Sequence, residues 1–473
     1  MGAAGKRAGT GGSICSPPRG MQLLNFARGR FWGVDRPLVM VYDYNRFVAN
    51  SSVVVFREVR EMARDKLKMA HGVPVEGDQF WGREVDLGIF ISRIEAGAHQ
   101  LLIAQRRMGK TSLMKETARR LKGRYLTLFV DLQKCSSAID VIAELGLAVH
   151  PYKPLWGKVR DALGGAIGRV EGLDLGEIGI KLRAGLVGEW RRRGDEFMAV
   201  LAASDLPVLL LIDEAPIVVN RILKGPDYNL TPERRHQADL FLSWLRDNSI
   251  RHQGRIRIVL SGSIGLEPIL RQARLSATLN NFEPFELGPW DEATACGCLE
   301  ALASEYGLGL DEGVPQRMVK MLGCCIPHHV QMFFRHAHDW CARRGAHAVS
   351  ARDVKLVYDT EMLSIRGHAE LTHYEERLKM VLGDELLPVA EELLTETAVA
   401  GRLTAGTAGA ICQGYQLCSL DVVEAQRQII EVLEHDGYLA RKGDCYRFVS
   451  RLLRDWWRAR YEFGYTPVSK RGA

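Results

Sequence analysis

Leu101-Leu102-Ile103-Ala104-Gln105-Arg106-Arg107-Met108-Gly109-Lys110-Thr111-Ser112 runs from an apolar strand through a glycine turn into a helix-compatible stretch. This is the order of a loop that cradles phosphate. Its pattern, Gly-x-x-x-x-Gly-Lys-[Ser/Thr], is met at every position but the first, where Ala104 stands. Gly109 lets backbone amides approach phosphate oxygens, and the helix start behind it favours negative charge. Lys110 reaches the outer phosphates, and the Thr111 hydroxyl can take a magnesium ion. Ala104 fits the loop if its φ is negative, and the exchange removes no phosphate ligand. With Gln105, Arg106, Arg107, Met108 and Ser112, these residues are the expected contacts of a nucleoside triphosphate.

Working outward, Val208-Leu209-Leu210-Leu211-Ile212-Asp213-Glu214 is a second apolar strand, ending in paired acids. Asp213 is expected to hold magnesium, and Glu214 to orient and activate the water that attacks the terminal phosphate. A third apolar strand, 256–261, leads into Ser261-Gly262-Ser263-Ile264-Gly265. Ser261 or Ser263 would sense the terminal phosphate there, although a simple turn or helix cap accounts for the same serines equally well. Strands alternating with helices imply a parallel sheet covered on both faces.

The flanks read differently. Residues 1–34 are Gly-, Arg- and Ser-rich without an apolar core segment and read as a disordered leader, with Met21 and Met40 as alternative starts. Segments 38–44 and 52–56 alternate like a hairpin, and 57–69 reads as a polar helix. Between 152 and 193 the chain is rich in glycine and basic residues, and the alternation over 175–182 suggests an added strand in a flexible insertion at the sheet edge. After Pro289 four helical stretches follow, 291–306, 314–322, 330–342 and 351–364, with no strand between them. The last unit reads as helix 407–415, helix 422–435 and a hairpin over 437–449, which is a winged-helix pattern. Its second helix carries Glu424, Arg427, Glu431 and Glu434, a mixed and rather acidic face that disfavours strong phosphate binding. Arg451, Arg454, Arg458 and Arg460 interleave with Trp456, Trp457 and Tyr461 on a helix whose aromatics are expected to pack inward.

Composition bounds the alternatives. The 473 residues are 47% hydrophobic and 25% charged, enough for two or three domains with sizeable cores. A net charge of +6 over that length is too dilute to imply nucleic acid. Ten cysteines without regular spacing suit reduced thiols in the cytoplasm. No apolar run approaches the roughly 20 residues that span a bilayer, so no membrane is expected. The cluster Cys324, Cys325, His328, His329, His336, His338 and Cys341 lacks the paired spacing of a zinc site.

Phe80-Trp81-Gly82-Arg83-Glu84, the phosphate loop, the strand ending in Asp213-Glu214 and the 261–270 segment together resemble the STAND-type ATPases, a branch of the AAA+-related P-loop proteins. The resemblance covers about residues 80 to 460. It implies an α/β fold: a P-loop three-layer α/β/α parallel sheet with a helical lid and a C-terminal winged-helix domain. The implied division is a leader at 1–34, an extension at 35–79, the ATPase core at 80–288, the lid at 289–366, the winged helix at 367–465 and a tail at 466–473. It assigns Phe80, Gly82 and Arg83 to the adenine pocket and makes Pro327, after Gly323, a lid contact. It further implies a slow, magnesium-dependent ATPase acting as a nucleotide-controlled switch, with an unknown protein partner and a homo-oligomer in which Arg246, Arg271 or Arg274 could serve a neighbour. An initiator-like DNA-binding ATPase and a nucleotide-gated scaffold with negligible turnover are the alternatives.

Overall fold

The computed structural model describes residues 66–69, 72–163, 174–364, 371–418 and 420–471. The leader, the 38–44 and 52–56 segments and most of the 57–69 stretch lie outside them. Residues 66–69 are described and are not helical. The described residues belong to one compact unit, Met62–Ala473.

Five parallel strands form the central sheet: β1 (His99–Ile103), β2 (Leu126–Asp131), β3 (Val208–Asp213), β4 (Ile256–Ser261) and β5 (Phe282–Glu286). Their order across the sheet is β2-β3-β4-β1-β5. Every residue of β3 is buried, as suits an uninterrupted apolar run inside a parallel sheet. Side chains alternate between two cores. Leu209, Leu211 and Val259 pack with Phe90, Ile94, Leu113 and Met114 from α1 (Glu84–Ala96) and α2 (Lys110–Arg120). Leu210, Ile212, Ile258 and Leu260 face the opposite layer. That layer includes α3 (Ala138–Ala148), α7 (Ala215–Lys224), α8 (Pro232–Arg251) and α9 (Leu266–Gln272). Between α3 and α7 lie α4 (Lys153–Ala162), α5 (Leu175–Leu186) and α6 (Trp190–Ala202). The sheet and its two helical layers form the α/β/α sandwich.

The segment 175–182 is therefore helix and not strand. Asp174 and Glu177 close a capping box, and Ile178, Leu182 and Leu186 fall on one buried face at helical spacing. The glycines between them create the apparent alternation. After the sheet come α10 (Glu292–Tyr306), α11 (Val314–Leu322), α12 (Pro327–Arg344) and α13 (Ala351–Val357). A π-helical turn, Tyr358–Met362, follows α13 in place of a helix running on to Ser364. Contrary to a strand-free reading, β6 (Gly309–Leu310) and β7 (Ala348–Val349) pair in parallel and tie α10 to the end of α12.

The C-terminal unit opens with α14 (His373–Ala400), which is broken at Gly383 by a left-handed φ of 73°. Next come β8 (Leu403–Thr404), α15 (Ala405–Gln413), α16 (Val422–His435), β9 (Leu439–Lys442) and β10 (Cys445–Phe448). The antiparallel sheet β8-β10-β9 joins the hairpin β9-β10 to the short strand that precedes the two helices. In α17 (Arg451–Tyr461), Trp456 and Trp457 are fully buried, and Trp457 Nε1 donates to Thr395 Oγ1 at 3.1 Å. Its arginines face carboxylates: Arg451 and Arg454 pair with Asp455, Arg458 with Glu462, and Arg460 with Glu375.

Candidate nucleotide site

The parallel sheet brings the carboxyl ends of β1, β3 and β4 to one edge, where the three motif loops meet. Between β1 and α2, Arg107 and Gly109 take left-handed φ values of 68° and 94°. Such left-handed residues turn successive amides toward one concavity, an anion nest. Ala104 is not among the non-glycine residues of positive φ in the described chain, so alanine is accommodated at the loop entry.

Lys110, the first residue of α2, is buried, and its ammonium donates to the carbonyls of Ala104 at 2.7 Å and Gln105 at 3.1 Å. Burial pulls the Lys110 pKa down to about 8, even with Glu214, Asp213 and Asp436 near enough to oppose the shift. Thr111 Oγ1 donates to Asp213 Oδ2 at 2.6 Å. Burial pushes the Asp213 carboxyl up; Thr111 and Lys110 offset the push, and Glu214 adds to it. A cation beside Asp213 and an anion beside Lys110 would relieve both, so the donor set fits a magnesium-bound nucleotide.

Glu214 sits at the start of α7 with φ 59°, a strained conformation for a non-glycine residue. Its Oε2 accepts from Ser263 N at 2.9 Å and Ser263 Oγ at 2.7 Å. Ser263 is thus the serine that meets the acids. Ser261 is fully buried in β4 opposite Leu102, and its hydroxyl lacks a partner.

A cavity of about 230 Å³ joins these groups. Phe80, Arg83, Arg106, Arg107, Met108, Gly109, Lys110, Thr111, Ser112, Asp213, Glu214, Ser263 and Pro327 line it. Ala104, Gln105, Gly82 and Ser261 are not on its wall. Gly82 serves a close approach: at φ 64°, a Cβ there would come within 2.2 Å of Thr294 Cγ2 on α10. Arg83 acts as a clamp: its guanidinium donates to Asp86 Oδ2 at 3.0 Å, Met108 O at 3.2 Å and Gly288 O at 2.6 Å. Pro327 opens α12 at the cavity mouth, where its fixed φ suits a first-turn position.

Several wall residues carry no sequence signal. Residues 72–75 cross the site as an irregular strap, held by Val75 N donating to Ser112 Oγ at 3.0 Å and Gly77 N to Glu116 Oε2 at 2.8 Å. With Trp81, Trp290 and Pro327, the strap adds apolar surface to the cavity wall.

The C-terminal unit reaches the same loops. A Cβ at Gly437, just past α16, would lie 2.0 Å from Gln105 Cδ, so the chain there touches the phosphate loop. Asp436 Oδ1 accepts from Gly265 N at 3.0 Å. Arg271 on α9 bonds Glu431 on α16 at 2.9 Å and Glu267 at 3.0 Å, so its guanidinium is engaged within the chain. From the other side, Asn220 Nδ2 on α7 donates to Met380 O at 2.9 Å, and Lys224 holds Val381 O. The helix that starts at Glu214 thereby grips α14 just before its break at Gly383.

The fold is the P-loop α/β fold. Among solved structures, the chain is similar to a Walker-type ATPase of Pyrococcus abyssi, with a TM-score of 0.55 and 15% identity over 81% of this chain and 98% of that one. The Aeropyrum pernix ORC2 protein aligns with a TM-score of 0.43 and 15% identity, over 80% of this chain and 93% of that one. The Thermotoga maritima RuvB Holliday junction branch migration motor does so with a TM-score of 0.40 and 15% identity, over 79% and 94%. No family model matches the chain, and no curated protein does.

Proposed function

We propose that the chain binds ATP with magnesium, hydrolyses it slowly, and uses the nucleotide state to move its C-terminal unit, as a STAND-type switch of the AAA+-related class. One observation carries this reading: a single loop serves both tasks. Thr111 bonds Asp213 beside Lys110 in the cavity, while Gln105, five residues before Lys110, touches Gly437 beyond α16. A rearrangement at the phosphates therefore strains a contact with the C-terminal unit directly.

In this reading Lys110 and the amides around Gly109 hold the phosphates. Magnesium, when bound, neutralises phosphate charge, and Thr111 and Asp213 are the residues that would hold it. Glu214, freed from Ser263, orients a water and accepts its proton. Phe80 and Pro327 close the apolar side around the base, and Arg83 keeps the loop fastened to that side. The division into leader, extension, core, lid, winged helix and tail given above belongs to the same proposal, as do cytoplasmic action, a protein trigger and a homo-oligomeric active form. The described cysteines are all unpaired, and no helix among the described residues is long and apolar enough to cross a membrane.

DNA binding is the weaker alternative, because α16 spends its charges on Glu424–Arg427, Arg427–Glu431 and Arg271–Glu431 pairs. The test is Glu214→Gln. Retained ATP binding with phosphate release slowed by about 100-fold or more supports hydrolysis through this carboxylate. Unchanged release removes Glu214 from the mechanism. A wild-type protein that binds ATP without turnover would be the nucleotide-gated scaffold. Salt-sensitive duplex binding that vanishes on deleting residues 370–473 would instead favour the initiator.

A further inference from the structure

Arg106 lies within the phosphate loop and lines the same cavity as Lys110, Glu214 and Ser263. Its Nη1 is buried with no hydrogen-bond partner. The other two arginines on the cavity wall also leave Nε buried without a partner, but their guanidiniums are anchored through terminal nitrogens. Both terminal nitrogens of Arg83 have acceptors, and Arg107 Nη1 donates to Gly72 O at 3.4 Å. Leaving a buried charged donor without an acceptor is costly, and proteins avoid it away from functional sites.

The charges around Arg106 deepen the cost. Burial comes first, then Arg377 from α14 and Arg107 beside it, and together they pull its pKa down to about 10; Glu214 is the carboxylate that opposes them. Three arginines thus converge where the loop meets the C-terminal unit. An anion delivered to that point would satisfy the open donor and offset the repulsion between Arg106 and Arg377. Guanidinium is suited to the task, since its planar fork matches phosphate oxygens in pairs.

We infer that Arg106 reads the terminal phosphoryl group in cis, so that the chain carries its own phosphate-sensing arginine and borrows none from a second copy. The inference rests on the ATP reading above and adds to it the residue that separates triphosphate from diphosphate. Because Arg377 belongs to α14, the same contact informs the C-terminal unit which nucleotide is bound.

The test compares full-length wild type, Arg106→Ala and Arg106→Lys in titrations with ADP and with a non-hydrolysable ATP analogue. Removing one charge-assisted phosphate contact should weaken the ATP analogue by roughly 10- to 100-fold and ADP by less than about threefold. Arg106→Lys keeps the charge without the fork, so an intermediate loss confined to the ATP analogue is expected from it. This variant also serves if Arg106→Ala fails to fold. Mixing Arg106→Ala with Lys110→Ala protein should restore no turnover, whereas a trans-acting arginine would restore it. Equal losses for both nucleotides, or rescue on mixing, would overturn the assignment while leaving ATP binding intact. A wild-type protein that binds neither nucleotide would overturn the ATP reading and this inference with it.

Discussion

The phosphate loop and α16 both carry charged side chains toward the meeting of the core and the C-terminal unit, and they are built in opposite ways. The loop leaves polar groups open. Arg106 Nη1 and Gln105 Oε1 are buried without partners, and burial pulls both Lys110 and Arg106 below their ordinary pKa values. On α16, by contrast, charge is consumed within the protein: Arg427 bonds Glu424 and Glu431, Gln428 bonds Glu424, and Arg271 of α9 bonds Glu431. Unsatisfied, partly desolvated cations mark a surface that gains by receiving an anion. Self-paired charges mark one that gains little. In this arrangement α16 reads the core of its own chain.

The larger effect that would break this contrast concerns the loop's pH dependence. Lys110 of the free protein sits at about 8 because burial disfavours its charge, whereas phosphate contact requires the ammonium. Binding above pH 8 must therefore take up a proton. ATP affinity should be level below pH 8 and fall by up to about tenfold per unit above it, until the raised pKa of the bound state is reached. Calorimetric titrations between pH 7 and 9.5 check this, and a flat profile would remove Lys110 from the contact. A smaller effect is expected at α16. Arg271→Ala breaks a pair whose side chains are 46% and 26% exposed, so it should cost no more than about 1 kcal/mol in denaturant unfolding, and less in high salt. A loss several times larger would mean that this face is a structural hub and not a self-screened surface.

Much of the core was legible because its signals are local. Strands β1, β3 and β4 are apolar runs bounded by polar residues; Lys110 and Thr111 follow β1 after a six-residue loop, Asp213 ends β3 and Glu214 comes next. β5 has a weak local signal because Phe282-Glu283-Pro284-Phe285-Glu286 is short, contains proline and buries only its two phenylalanines, as an edge strand does. In the 175–182 segment, glycines at 176 and 179 imitate a period of two. The Asp174 and Glu177 capping box is the local signal that fixes this segment as a helix. What could not be read locally comes from docking distant segments. The strap at 72–75, the grip of Ser263 on Glu214, the seat of Gly437 on Gln105 and the open guanidinium of Arg106 each join parts of the chain that no single periodicity connects.

The central claim is that occupancy of the phosphate site and seating of the C-terminal unit are coupled. Hydrogen exchange of the Gly265 amide, which donates to Asp436, measures that seat directly. Glu214→Gln protein loaded with ATP should exchange this amide, and those of residues 435–438, faster than the same protein loaded with ADP. Identical protection with both nucleotides bound would contradict the account.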